Sequence, residues 1–100
     1  MERIATPTMK DFLYDEFMKP NKISCYRLSK EINVPVSRIQ DILHGRRRLT
    51  ADTSLRLGKF FGVNDTYFFD LQSDIDFRNT RIAIEEELDK IKPLKLINNE

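Results

Sequence analysis

The chain has 100 residues, room for one hydrophobic core with an appended element but not for two folds. It is 40% hydrophobic and 33% charged, with three glycines and four prolines, a balance that favours helices. The single cysteine, Cys25, excludes an intramolecular disulfide, and no apolar run is long enough for a membrane span or a secretory leader, so a cytoplasmic protein without membrane contact is expected. The formal net charge of +1 hides a division along the chain. From Lys22 to Arg48 the bases Lys22, Arg27, Lys30, Arg38, Arg46, Arg47 and Arg48 face only Glu31 and Asp41, whereas acids outnumber bases from Asp65 onward.

Residues 1–7 show no periodicity and read as a loosely held arm ending at Pro7. Thr8 and Asp11 spell T-x-x-D, a capping box for a first helix carrying Met9, Phe12, Leu13 and Phe17 inward and Asp15 and Glu16 outward, stopped by Pro20. Ser24 is a suitable N-cap for a second helix with Leu28 and Ile32 as an inward pair. Asn33 is one of the few residue types that enters the left-handed region at modest cost, so a sharp corner is expected there, with Val34 plugging it and Pro35 opening the third helix.

In the third helix Ile39, Ile42 and Leu43 form the inward stripe, leaving Val36, Ser37, Gln40, Asp41 and His44 outward and Arg38 at the N-terminal shoulder. Gly45 is placed to end it, and Arg46, Arg47 and Arg48 follow. Thr50 should cap a fourth helix bearing Leu55, Leu57 and Phe61, with Asp52 in its first turn; the mid-helix Gly58 suggests close approach of another backbone. Asn64 should cap a long fifth helix through Tyr67, Phe68, Leu71, Ile75, Ile82, Leu88 and Ile91, ending before Pro93. Its part beyond Arg78 lies too far along to cover the same core and needs a partner or frays. The division is an arm (1–7), a helical domain (8–77) and a helical extension (78–100).

Two helices braced at a tight corner, a second helix with hydrogen-bonding side chains outward, and a cluster of arginines at its end form one constellation. A helix so braced can enter the major groove of double-stranded DNA, where Ser37, Arg38 and Gln40 would meet base edges and Arg46, Arg47 and Arg48 the phosphates. The candidate DNA-binding set is Ser24, Arg27, Val36, Ser37, Arg38, Gln40, Asp41, His44, Arg46, Arg47 and Arg48. The bland alternative is two amphipathic helices separated by a short turn, with arginines that only solubilise a loop. Enzyme chemistry has little to stand on: Cys25 and His44 fall at the first turn of one helix and the last turn of another, and no metal spacing, nucleotide loop or cofactor motif is present. The run Glu85-Glu86-Glu87 reads as a solvated helix face.

The stretch SCYRLSKEINVPVSRIQDILHGRRRLTADTSLRL, residues 24–57, followed by Phe61-Gly62 and Phe68-Phe69-Asp70-Leu71-Gln72, resembles the HigA group of antitoxins among the phage-repressor-like (XRE) helix-turn-helix domains. The resemblance runs over residues 8–77. It departs from the group at Thr8-Met9-Lys10-Asp11, and at Ser29, Asn33 and Phe68 in place of the usual alanine, glycine and tryptophan. It implies an all-α, five-helix domain with an extended C-terminal helix. It further implies a homodimer that represses its own operon at a palindromic operator and binds a small basic RelE/HigB-like toxin. For that toxin the acidic outer side of the first helix, Asp11, Asp15 and Glu16, is the candidate surface, with the chain beyond Asp65 as the other. A stand-alone repressor without a toxin, and a protein-only adaptor using the acidic tail, are the competing readings.

Overall fold

Thr8 and Asp11 exchange the two hydrogen bonds of a capping box: the Thr8 N–H donates to Asp11 Oδ2 at 2.8 Å and the Asp11 N–H to Thr8 Oγ1 at 3.3 Å. A computed structural model describes residues 6–95; residues 1–5 of the expected arm and 96–100 of the expected extension lie outside the described residues. Among the described residues there are six helical elements and no strand: α1 (Lys10–Met18), α2 (Cys25–Ile32), α3 (Val36–Leu43), α4 (Ala51–Phe61), α5 (Tyr67–Ala83) and α6 (Glu85–Asp89). The all-α class agrees with the sequence; the long fifth helix is replaced by two pieces.

The first helix is wound more widely than an α-helix, its N–H groups reaching back five residues, as Lys19 does to Tyr14 O at 2.8 Å. This winding changes which side chains share the inner face. Leu13 and Met18, five apart, are fully buried, while Phe17 is only half-buried. The expected stripe of Met9, Leu13 and Phe17 is therefore completed by Met18, a residue that an i, i+4 pattern does not select.

Leu28, Ile32, Ile39, Ile42, Leu57, Phe68 and Ile75 join Leu13 and Met18 in one core. Phe17 links three helices, its ring centroid lying 5.0 Å from both Phe61, in tilted geometry, and Phe68, edge to face. Such contacts add about 0.5–1.5 kcal/mol each beyond burial. On α4 the inner face is taken by Thr53, Ser54, Leu57 and Gly58, and Leu55, expected inward, is 54% exposed. The reason lies in Ser54. Its hydroxyl donates to Asp65 O at 2.6 Å and accepts the Phe69 N–H at 3.1 Å, so the α4 face that carries it must turn toward α5.

Thr66, not Asn64, immediately precedes α5; Asn64 instead accepts from the Thr66 N–H at 2.9 Å in the turn before it. The helix stops at Ala83, with Ile84 at φ −115° and ψ 22°. Every residue from 77 to 95 is exposed, so no packing enforces continuity. The break places Glu85, Glu86 and Glu87 in the first turn of α6, the end of its dipole that favours acids. Phe77, Ile82, Ile84 and Leu88 are left uncovered.

The mid-helix glycine is explained by contact. A Cβ at Gly58 would stand 3.0 Å from Asn64 O and 3.2 Å from Val63 O, both backbone atoms. Glycine to alanine in a helix interior ordinarily gains about 1 kcal/mol. Here the overpacking cost, about 1–3 kcal/mol, exceeds that gain, and Gly58→Ala is expected to lower the midpoint of urea unfolding. An unchanged or raised midpoint would contradict this packing.

Candidate nucleic-acid interface

The corner is built from its first cap onward. Ser24 Oγ accepts the Arg27 N–H at 3.1 Å and starts α2. The helix ends at Asn33 in the left-handed region, φ 59° and ψ 55°, its N–H returning to Ser29 O. Val34 donates to the same carbonyl at 3.0 Å and packs half-buried against the core. Pro35 then serves as the N-cap of α3 in extended conformation; its ring fixes φ, and its ψ of 144° lies outside the helix. The small Ser29 is buried, its hydroxyl donating to Tyr26 O at 2.7 Å.

Ser37, Gln40 and His44 stand exposed along α3, with Val36 and Asp41 half-buried beside them. The His44 Nδ1 lies 2.7 Å from Gln40 O. A carbonyl only accepts, so Nδ1 donates in this contact. Gly45 at φ 75° turns the chain so that Arg46 follows directly, its N–H on Asp41 O at 2.8 Å and its guanidinium on Asp41 Oδ1 at 3.0 Å.

The three loop arginines, grouped together by sequence, have different surroundings. Arg46 is paired to Asp41, Arg48 is paired through Nε and Nη2 to Asp76 Oδ2, and Arg47 is exposed. Arg27, on α2, pairs with Glu31 at 3.5 Å. The Asp76 that takes Arg48 is steadied by Gln72, whose Nε2 donates to Asp76 Oδ1 at 3.1 Å while its Oε1 accepts the Leu49 N–H at 3.0 Å.

Arg38 also departs from the expectation of a free outward side chain. It is 24% exposed, Nη1 donates to Asp52 Oδ1 at 3.1 Å, and Nε is buried with no hydrogen-bond partner among the described residues. The same Asp52 oxygen accepts from Arg56 Nε at 2.8 Å, and Arg56 Nη1 donates to Ile32 O at 2.9 Å. Asp52 and Arg56 are missing from the sequence-derived set. The i, i+4 acid–base spacing was a visible signal of their mutual pair, but nothing local points to Arg38 or to the end of α2.

On α1, Asp11, Asp15 and Glu16 are exposed. Asp11 is engaged in the capping box, and Asp15 has Lys10 Nζ at 3.9 Å. Burial pushes the Cys25 thiol up, the direction opposite to that of an activated nucleophile. Among the described residues, no group of His, Cys, Asp and Glu is placed to hold a metal ion, and no helix is long and apolar enough to cross a membrane.

A helix held at a fixed corner, presenting polar side chains and followed by arginines, defines a helix-turn-helix unit. Residues 16–68 match the Helix-turn-helix family, and the chain belongs to it. A curated relative, virulence-associated protein I of Dichelobacter nodosus, is 35% identical over 68 residues, which cover 68% of this chain and 63% of that protein. The chain thus spans less than two thirds of that relative's length.

Solved structures agree over a longer span. An addiction module antidote protein of the HigA family from Coxiella burnetii superposes with a TM-score of 0.84 at 29% identity, covering 91% of this chain and all (100%) of that one. The Pseudomonas aeruginosa antitoxin HigA, solved with the higBA promoter, gives 0.85 at 26%, again over 91% of this chain and 100% of that one. A further P. aeruginosa structure, of a protein in complex with its 18 bp operator DNA, gives 0.86 at 25%, over 94% and 100%. Within the helix-turn-helix family the chain is of the HigA type.

The Asp52 carboxyl is held below the usual carboxylate range, first by the Arg56 hydrogen bond and then by the charges of Arg56 and Arg38. Its contribution to stability is full above the unfolded value of about 3.9 and is lost as pH falls through the lowered folded value. Asp52→Asn should therefore show a shallower loss of stability than the parent between about pH 5 and pH 2, measured by urea unfolding at each pH. Parallel curves would contradict the pairing.

Proposed function

We propose that this chain is an antitoxin that represses its own operon, binding a palindromic operator as a homodimer through α3 and neutralising a small, basic, ribosome-dependent ribonuclease of the RelE type. The observation that carries the reading is the outward row of Ser37, Gln40 and His44 on a helix fixed by the Asn33 corner, with Arg47 just beyond its end. The complexes with promoter or operator DNA among its structural relatives support the same partner. One such helix reads few base pairs, so two copies related by a two-fold axis are needed for useful specificity. Phe77, Ile82, Ile84 and Leu88 supply apolar surface that such pairing can bury.

The contacts divide by geometry. Ser37 and Gln40, with Arg38 behind them, carry sequence discrimination; Ser24, Arg27, Arg46, Arg47 and Arg48 act on the phosphates and Val36, Asp41 and His44 line the approach. Among the loop arginines Arg47 has the most to give, because Arg46 and Arg48 must share or leave Asp41 and Asp76. A toxin that works on ribosomal RNA is basic. It prefers the acidic outer side of α1, Asp15 and Glu16 with Asp11, or the acidic chain beyond Asp65, and avoids the arginine face.

The test pairs two assays on the same variants: gel shifts on the DNA upstream of the gene, and growth under expression of the toxin encoded beside it. Arg47→Ala should weaken operator and scrambled duplexes by the same factor and reduce the slope of log K against log salt by about 0.9. Gln40→Ala should weaken the operator alone, by about 1–3 kcal/mol. A changed sequence preference in Arg47→Ala would reverse this division of roles. Arg38→Ala combined with Arg48→Ala should abolish operator binding yet still rescue growth. Loss of both activities in a folded variant would mean that the two surfaces overlap, and the absence of a toxin gene would leave a stand-alone repressor.

A further inference from the structure

One oxygen of Asp52 joins three helices. It accepts from Arg38 on α3 at 3.1 Å and from Arg56 on α4 at 2.8 Å, and Arg56 reaches on to the carbonyls of Ile32 at 2.9 Å and Asn33 at 3.4 Å, the last turn of α2 and the corner itself. The carbonyls that end α2 have no intrahelical partner, so a guanidinium placed there satisfies them and opposes the negative end of the dipole. The corner residue is an asparagine held in the left-handed region, and Arg56 Nη1 reaches its carbonyl as well as that of Ile32.

The arrangement does more than join surfaces. Among the described residues Arg38 Nε is buried without a hydrogen-bond partner, while Nη1 donates to Asp52. A side chain so held has its position set by the carboxylate and not by its own best hydrogen bonding. Arg38 stands in the first turn of α3, next to Ser37 and two residues before Gln40, so a tether there bears on how both are presented.

We propose that Asp52 and Arg56 are positioning residues for sequence recognition: through Arg38 and the α2 carbonyls they set the orientation of α3, without themselves reading bases. This rests on the reading of α3 as the recognition helix. It makes an expectation that electrostatics alone reverses. Asp52 is a negative charge on a surface that approaches phosphates, so neutralising it should strengthen binding to every duplex if it had no positioning role.

The experiment uses the full chain, a duplex selected from a random pool by the unaltered protein, and a scrambled duplex of the same composition. Both are measured at one salt concentration, at a temperature where circular dichroism shows each variant folded. For Asp52→Asn the ratio of selected to scrambled affinity should fall at least about tenfold, while scrambled-duplex affinity stays equal or rises. Asp52→Glu, which keeps the carboxylate, should recover at least part of the ratio, and Arg56→Lys, which keeps charge but not the fork, should lower it. The proposal is overturned by a ratio within twofold of the parent in Asp52→Asn, by equal losses on both duplexes, by Asp52→Glu no better than Asp52→Asn, or by an unchanged ratio in Arg56→Lys. An unaltered protein that selects no sequence and binds no duplex would instead defeat the DNA-binding reading itself, and this inference with it.

Discussion

The turn at Asn33 has to be made in a single residue with positive φ. With the chain at φ 59° and ψ 55°, α2 ends and α3 begins three residues later, and there is no slack in which the angle between them could vary. A residue with a β-branched side chain would meet a steep penalty in this region, and asparagine a small one. The two N–H groups that return to Ser29 O, from Asn33 and Val34, satisfy the end of α2, and Val34 seals the corner against the core. The placement of Ser37 and Gln40 follows from these few torsions together with the Arg56 bond to the same turn.

What was legible in the sequence is local, and what was hidden is tertiary. The Thr8–Asp11 box, the Ser24 cap, the Asn33 corner and the close approach at Gly58 each depend on residues near in sequence, and each stands where its spelling placed it. Met18 was hidden because a wide first helix changes the spacing of its inner face, and nothing in the composition announces that winding. Leu55 was hidden for another reason: α4 turns toward the side chain whose polar atom finds two partners, and Ser54 finds both across the chain. The break at Ile84 occurs where packing has ceased and only weak local terms remain.

The candidate interface shows the same split. Which residues are arginines could be read directly, but not which carboxylates they would meet, since Arg38 and Asp52 are 14 positions apart and Arg48 and Asp76 are 28 apart. These pairs are exposed or partly so and contribute little to stability on their own. Their consequence is for binding. An arginine already beside a carboxylate brings less net charge to a phosphate than a free one, so the basic segment from Lys22 to Arg48 is weaker as a phosphate surface than its tally of bases suggests, and more ordered. Order of this kind suits a protein that must discriminate one duplex among many, because fixed donors lose less freedom when they meet base edges.

The central claim is that α3, held at the Asn33 corner, enters the major groove in two copies related by a two-fold axis. Hydroxyl-radical footprinting of the purified chain on the DNA upstream of its gene tests it most directly. Two symmetric protected patches on one face of the duplex, centred about 34 Å apart, are the expected result. A single patch at saturation, or protection with no fixed position, would contradict it.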